Sequence, residues 1–369
     1  MILCVEPPRV SGNACEVKVN IELSDSSQSV MLYRFPVYQI PRLTQWSDPY
    51  LIAVIFLAMF RNEDVLVKGI VSPSLLENLE RFQDIWSCWR PGIYNKVNIL
   101  ATSEEEEPDV VGRDASALYS GGIDAAFALL KHARADLGRQ GRDIKFALMT
   151  CGMGGFQNGA EQHFHTALTE ASGAILPLGV RLGWVATNWQ NVMLRHGLNI
   201  YDIFPSGFIS CLHLFRRGIT AGVFGSSDNT QHYKWAVAGS NPLTDRLFSS
   251  RGFQMLHEGS GFSRIEKIRY LANWPDYFKA MRVCNQSDRE HRNCGVCEKC
   301  FRTALALHVA GVKLPEGFSL PNANQISAIK INSPEVLESI QALLSEARLV
   351  GFGHEVWFKQ LSAQAERFS

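Results

Sequence analysis

Residues 117–132 read ALYSGGIDAAFALLKH. An apolar run, ASALYS, stops at two glycines and an aspartate, and apolar residues then return at once with helical spacing. The pattern predicts a strand at 115–120 and a helix over 122–137. A buried strand needs one or two turn residues to hand over to a helix. This segment spends Ser120, Gly121, Gly122 and Asp124 on the turn. Beyond a strand's carboxyl end such a turn presents backbone N–H groups and the positive end of a helix dipole, and glycines let an anion approach closely. SGGID therefore reads as a phosphate cradle, although it is neither the Walker pattern nor G-x-G-x-x-G. A glycine turn with no ligand is the competing reading.

The flanking sequence supplies the context. IKFALMT, VRLGWVAT, TAGVFGSS and FQMLHEG read as strands, and 159–173 and 206–217 as helices between them. Strand–helix alternation of this kind predicts a parallel sheet with helices on both faces, with ligands beyond the strands' carboxyl ends. Upstream, residues 16–40 alternate like a hairpin, 50–60 reads as a buried helix, DVLVKGIVS and YNKVNILA as strands, and SPSLLENLERFQDIWSCW as a helix capped by Ser72 or Ser74. Between the two parts lies TSEEEEPD, read as a solvated acidic loop and as the boundary between residues 1–110, an N-terminal α+β extension, and residues 111–369.

Composition bounds the function. Lys plus Arg and Asp plus Glu both total 36 in 369 residues, so the net charge is zero and a nucleic-acid surface is disfavoured. YLIAVIFLAMF (50–60) is too short to span a bilayer, and MILCVEPPRV carries no signal-peptide pattern, so the expected compartment is the cytoplasm. Of nine cysteines, Cys4, Cys15, Cys88, Cys151 and Cys211 are scattered. Cys284, Cys294, Cys297 and Cys300 follow C-x9-C-x2-C-x2-C, the spacing of a closed, structural Cys4 zinc site. Buried thiols are the bland alternative, and His291 is a substitute ligand that four cysteines make unnecessary.

SGGID resembles the S-G-G-x-D core of the PP-loop ATP pyrophosphatases, with Ala125 standing where that family usually has serine. A PP-loop sheet followed by this cysteine spacing resembles 7-cyano-7-deazaguanine synthase of the queuosine pathway and its relatives in anti-phage defence, over residues 114–310. The resemblance implies a Rossmann-like sheet of the adenine nucleotide alpha hydrolase type, with a Cys4 zinc segment at 284–300. It implies ATP, Mg²⁺ and structural Zn²⁺ as cofactors. Ser120, Gly121, Gly122 and Asp124 would bind the nucleotide. SRIEKIRYLA resembles the synthase segment whose lysine reaches the phosphates, which gives Lys267 that catalytic role beside Asp124, with Arg264 as helper. A solvated helix face is the alternative for both cations. Asp228 is a metal or substrate candidate or a helix cap, and His163 and His165 are a base or structural.

The implied chemistry is activation of the 7-carboxy-7-deazaguanine carboxylate as an acyl-adenylate, followed by transfer to an amine. The extension at 1–110, absent from the compact synthase, favours an amine on a partner protein over ammonia. Sheet-edge cover or a homodimer interface is the competing reading of that extension. Free nitrile synthesis, a tRNA-modifying relative that would use Cys151, and a non-catalytic nucleotide-binding scaffold are the alternatives.

Overall fold

The computed structural model describes residues 1–108, 111–152, 160–227, 237–284, 293–331 and 333–368. Asp228 and His291 lie outside the described residues, as does the side chain of His163. The chain runs β1 (Ile2–Val5), β2 (Arg9–Ser11), β3 (Ala14–Glu22), β4 (Gln28–Pro36), α1 (Asp48–Arg61), β5 (Val65–Val71), α2 (Pro73–Trp89), β6 (Ile99–Glu104), β7 (Asp114–Leu118), α3 (Ile123–Ala133), β8 (Asp143–Cys151), α4 (Ala160–Ile175), β9 (Arg181–Thr187), α5 (Trp189–Arg195), α6 (Ile200–Leu214), β10 (Ala221–Gly225), β11 (Gln254–Glu258), α7 (Arg264–Leu271), α8 (Pro275–Ala280), α9 (Glu298–Val309), α10 (Ala323–Ser327), α11 (Pro334–Leu349) and α12 (Val356–Phe368).

Local pattern accounts for most of these. In β3 the alternate residues Cys15, Val17, Val19 and Ile21 are buried, the period of a half-covered strand. In α2, Leu75, Leu79, Phe82 and Trp86 repeat at helical spacing. α1 is apolar all round and is buried along nearly its whole length. No helix among the described residues is long and apolar enough to cross a membrane. α6 begins earlier than the expected 206, because Asn199 caps it by accepting the Tyr201 N–H, and Pro205 sits inside it.

The described strands form one mixed, largely parallel sheet in the order β11-β10-β7-β8-β9-β4-β3-β1-β5-β6, with β2 against β3. β11, β10, β7, β8 and β9 are mutually parallel. β4 joins β9 antiparallel, pairing Tyr33 with Thr187 and Arg34 with Ala186. Strands from either side of the acidic run thus share one sheet. Helices pack on both faces. One core gathers α1, α2, α5 and α6 with Phe146, Leu148 and Val185; the other gathers α3, α7, α9, α11 and α12 with Ala147, Met149 and Val223. Consecutive residues of β8 therefore point into opposite cores, which is why its sequence reads as continuously apolar.

The acidic run is not simply solvated. Glu106 accepts from the Ser74 N–H at 2.8 Å, and Glu107 pairs with Arg216 Nε at 2.6 Å. Arg216 is buried, and its Nη1 also donates to Asp48 at 2.8 Å. Asp48 in turn accepts from the Ser72 N–H and hydroxyl. Burial pushes the Glu107 carboxyl up, against the pull of Arg216. This cluster ties α1, the acidic run and the end of α6. Removing the cation leaves the buried Asp48 and the half-buried Glu107 carboxylates without it, so Arg216→Met is expected to cost about 3–5 kcal/mol of stability in urea unfolding.

Candidate functional site

The chain leaves β7, moves outward through β8 to β9, then returns to place β10 on the other side of β7. A reversal of winding is where sheets of this kind place a ligand crevice, here at the carboxyl ends of β7 and β10. The turn Tyr119–Gly122 lies there. Gly121 holds φ +79°, a conformation that glycine adopts without cost. An added Cβ at Gly121 would stand 3.3 Å from Arg282 Cβ, so the glycine is required by backbone conformation and by this neighbour. The Gly122 N–H donates to Ser120 Oγ at 3.3 Å. Gly122 is the N-cap of α3 and supplies no side-chain cap, which leaves the helix's amino end to the crevice. Gly225, at the end of β10, lies so close that a Cβ would fall 2.6 Å from the Asp124 carbonyl oxygen. The loop is thus wedged between strand and helix.

Asp124, in the first turn of α3, gathers two cations. Arg264 Nη1 donates to Oδ2 at 2.7 Å and Lys267 Nζ to Oδ1 at 3.1 Å. Lys267 also donates to the Ser226 carbonyl, at the end of β10, and is 1% exposed. Both cations come from α7, three residues apart on one face. Glu266 is turned away: it closes a capping box with Ser263, whose hydroxyl donates to Glu346 at 2.7 Å. The solvated-face reading therefore fails for Lys267 and Arg264 as placed. Burial raises the Asp124 carboxyl, but Arg264 and Lys267 outweigh it and hold it below its ordinary value. Lys299, in the first turn of α9, is pushed down by burial and by the Arg264 and Arg302 guanidinium groups, an environment that a bound anion relieves.

The four cysteines converge. Their sulfur atoms lie within 4.8 Å of one another, with Cys284–Cys297 at 3.8 Å and Cys294–Cys300 at 3.9 Å. These are not disulfides, whose sulfurs stand about 2.05 Å apart. A tetrahedral ion with Zn–S bonds of about 2.3 Å requires edges of about 3.8 Å, so the set fits zinc. Burial pushes the Cys294 thiol up, but N–H donors from Val296 and Cys297 bring it down to about 7. Four protein ligands leave no open position, which assigns such an ion to structure.

Some features were not legible beforehand. Asn293, beside the first ligand of the knuckle, is buried and bonded to the backbone of Met281, Val283 and Cys284. His257, near the end of β11, binds Asp245 at 2.7 Å through Nδ1, and Ser240 donates to the same carboxylate. Lone asparagine and histidine residues carry no spacing signal. Cys151 ends β8 and is buried, whereas His165 is exposed on α4 against Trp184.

Comparisons with protein-family models, curated proteins and solved structures give no match to this chain. The geometry stands alone.

Two outcomes follow. Purified protein should carry one Zn²⁺ per chain by elemental analysis, and Cys297→Ser should lower both metal content and stability, because metal binding and folding share free energy. The Asp124 ion pairs should be complete above the ordinary carboxylate range near pH 4 and weaken as pH falls. The stability gap between wild type and Asp124→Asn, measured by thermal melting, should therefore narrow below about pH 4.

Proposed function

We propose that the protein is an ATP-dependent ligase that forms AMP and pyrophosphate. In this reading it activates a 7-deazaguanine carboxylate, 7-carboxy-7-deazaguanine, and transfers the acyl group to an amine of a partner protein, as in anti-phage conjugation. The observation that carries it is the constellation at the crevice: a glycine turn at a helix amino end, with Lys267 and Arg264 converging on Asp124 beside it. The strand order β9-β8-β7-β10-β11 supports the finer reading as a Rossmann-like sheet of the adenine nucleotide alpha hydrolase type.

A carboxylate is a poor electrophile until one oxygen joins a good leaving group. Its oxygen attacks the α-phosphorus, the α–β bond breaks, and pyrophosphate departs with the bonding pair. In this scheme Ser120, Gly121 and Gly122 cradle the departing phosphates, and Lys267 and Arg264 neutralise charge as it develops. Lys267 is suited to this because the Ser226 carbonyl fixes its ammonium where it need not reorganise. Asp124 orients both cations and is the oxygen donor at the turn able to hold Mg²⁺, which when bound neutralises phosphate charge. The amine nitrogen then attacks the acyl carbon and AMP leaves. An α-amine, with a reference pKa near 8, offers more neutral nucleophile at cellular pH than lysine near 10.4.

The topology supports a partner role for the extension. β4 runs antiparallel to β9, so the β3–β4 turn, residues 23–27, lies at the same sheet edge as the phosphate turn.

The test combines pyrophosphate release with intact-mass measurement of a candidate partner in the presence of ATP, Mg²⁺ and the deazaguanine acid. Lys267→Ala should slow release about 100-fold or more, and Lys267→Arg should restore little, since a forked guanidinium does not fit an ammonium's place. A partner of unchanged mass, with free amide or nitrile formed from ammonia, would replace conjugation by free synthesis.

A further inference from the structure

The segment joining α8 to the cysteine knuckle, residues 281–284, has no regular secondary structure, starts with extended backbone at Met281 and is held from two sides. On one side lies Asn293. Its Oδ1 accepts from the Val283 N–H at 2.9 Å and the Cys284 N–H at 3.3 Å, and its Nδ2 donates to the Met281 carbonyl at 2.8 Å. One side-chain amide thus does for this segment what a neighbouring strand's peptide would do. On the other side the Arg282 N–H donates to the Gly121 carbonyl at 3.0 Å. Cys284, the first metal-binding thiol, closes the segment two residues later.

That last hydrogen bond decides which way the turn faces. In a trans peptide the carbonyl and the following N–H point in opposite directions. Tying the Gly121 oxygen toward the knuckle aims the Gly122 N–H away from it, toward Ser120 Oγ. Two adjacent glycines without this tie have many orientations open to them. The tie therefore sets the donor direction that an anion-binding turn needs.

We propose that Asn293 is a positioning residue for the nucleotide site, splinting residues 281–284 so that the metal knuckle fixes the Gly121 carbonyl and aims the phosphate turn. The inference rests on the nucleotide-binding reading above, and it assigns the knuckle a task beyond local folding. It also accounts for a buried asparagine bonded through both its amide oxygen and its amide nitrogen beside a metal-binding cysteine.

The experiment measures zinc content and the Kd for MgATP on zinc-loaded protein, confirmed folded by thermal melting. Asn293→Ala removes the splint. Arg282→Pro removes the N–H tie and the side chain and sets the ring Cδ against the Gly121 carbonyl, and Met281 already has the extended conformation that precedes proline. Arg282→Ala removes the side chain and keeps the tie. The expected result is that Asn293→Ala and Arg282→Pro, with one zinc bound, hold MgATP at least about tenfold more weakly than wild type, and that Arg282→Ala lies closer to wild type. A native fold that is merely less stable would leave Kd unmoved, so affinity separates positioning from folding. If Asn293→Ala loses its zinc, Arg282→Pro decides, because it touches neither thiol nor splint. Wild-type affinity in zinc-loaded Arg282→Pro overturns the proposal. Wild-type protein that binds no MgATP overturns the nucleotide reading itself, and the proposal with it.

Discussion

The sheet depends on a short seam. β4 and β9 share two register pairs, Tyr33 with Thr187 and Arg34 with Ala186, yet this contact joins five parallel strands to the strands of the amino-terminal part. A ladder this short is marginal unless something extends it. Two side-chain amides do so. Past one end, Asn188 accepts from the Leu32 N–H at 2.8 Å and donates to the Val30 carbonyl at 2.9 Å. Past the other, Gln39 accepts from the Trp184 N–H at 2.9 Å. Both satisfy backbone groups of the opposite partner, as a longer strand would. On the face of the sheet, Arg216 binds Asp48 from one part and Glu107 from the connecting run. The seam is a β-ladder completed by polar side chains and fastened by buried charge.

Much of the architecture is legible in the chain because burial leaves a periodic trace. β3, β4 and α2 carry clean periods of two and of three to four, and the Cys4 spacing identifies its own cluster. The glycine turn at 119–122 is legible from its glycines and its place between strand and helix. What escapes the sequence are single residues whose meaning is relational. Asn188, Gln39 and Asn293 each stand in for a missing peptide, and nothing local marks them. The glutamates illustrate the converse. A run of four acids reads as solvent-facing, but Glu106 and Glu107 find partners at Ser74 and Arg216, more than a hundred residues away in the second case. Long-range charge pairing has no period.

The Asp124 cluster shows how a local reading sharpens once the fold supplies neighbours. Arg264 and Lys267 stand three residues apart and share one face of α7, whereas Glu266, two residues from the first and one from the second, faces neither. Glu266 instead closes the capping box with Ser263. Both cations are available to Asp124 on α3. Helix capping and the ion-pair cluster share one turn here, because the first turn that satisfies the amino end of α7 also carries Arg264 to Asp124.

Strand direction limits what the amino-terminal part can offer to the crevice. β3 and β9 run the same way, separated by antiparallel β4, whereas β1, β5 and β6 run opposite to them. The carboxyl ends of β1, β5 and β6, where a parallel sheet ordinarily places ligands, therefore face away from the glycine turn at 119–122. The β3–β4 turn faces it, with Asp25 held by Arg61 at 2.8 Å and Ser24 by Glu63 at 2.9 Å, both from the end of α1 and just beyond it. An added α/β part that used its own strand ends for binding would work at the opposite edge of the sheet. The part of residues 1–110 that shares the glycine turn's end of the strands is this braced turn and the segments beside it.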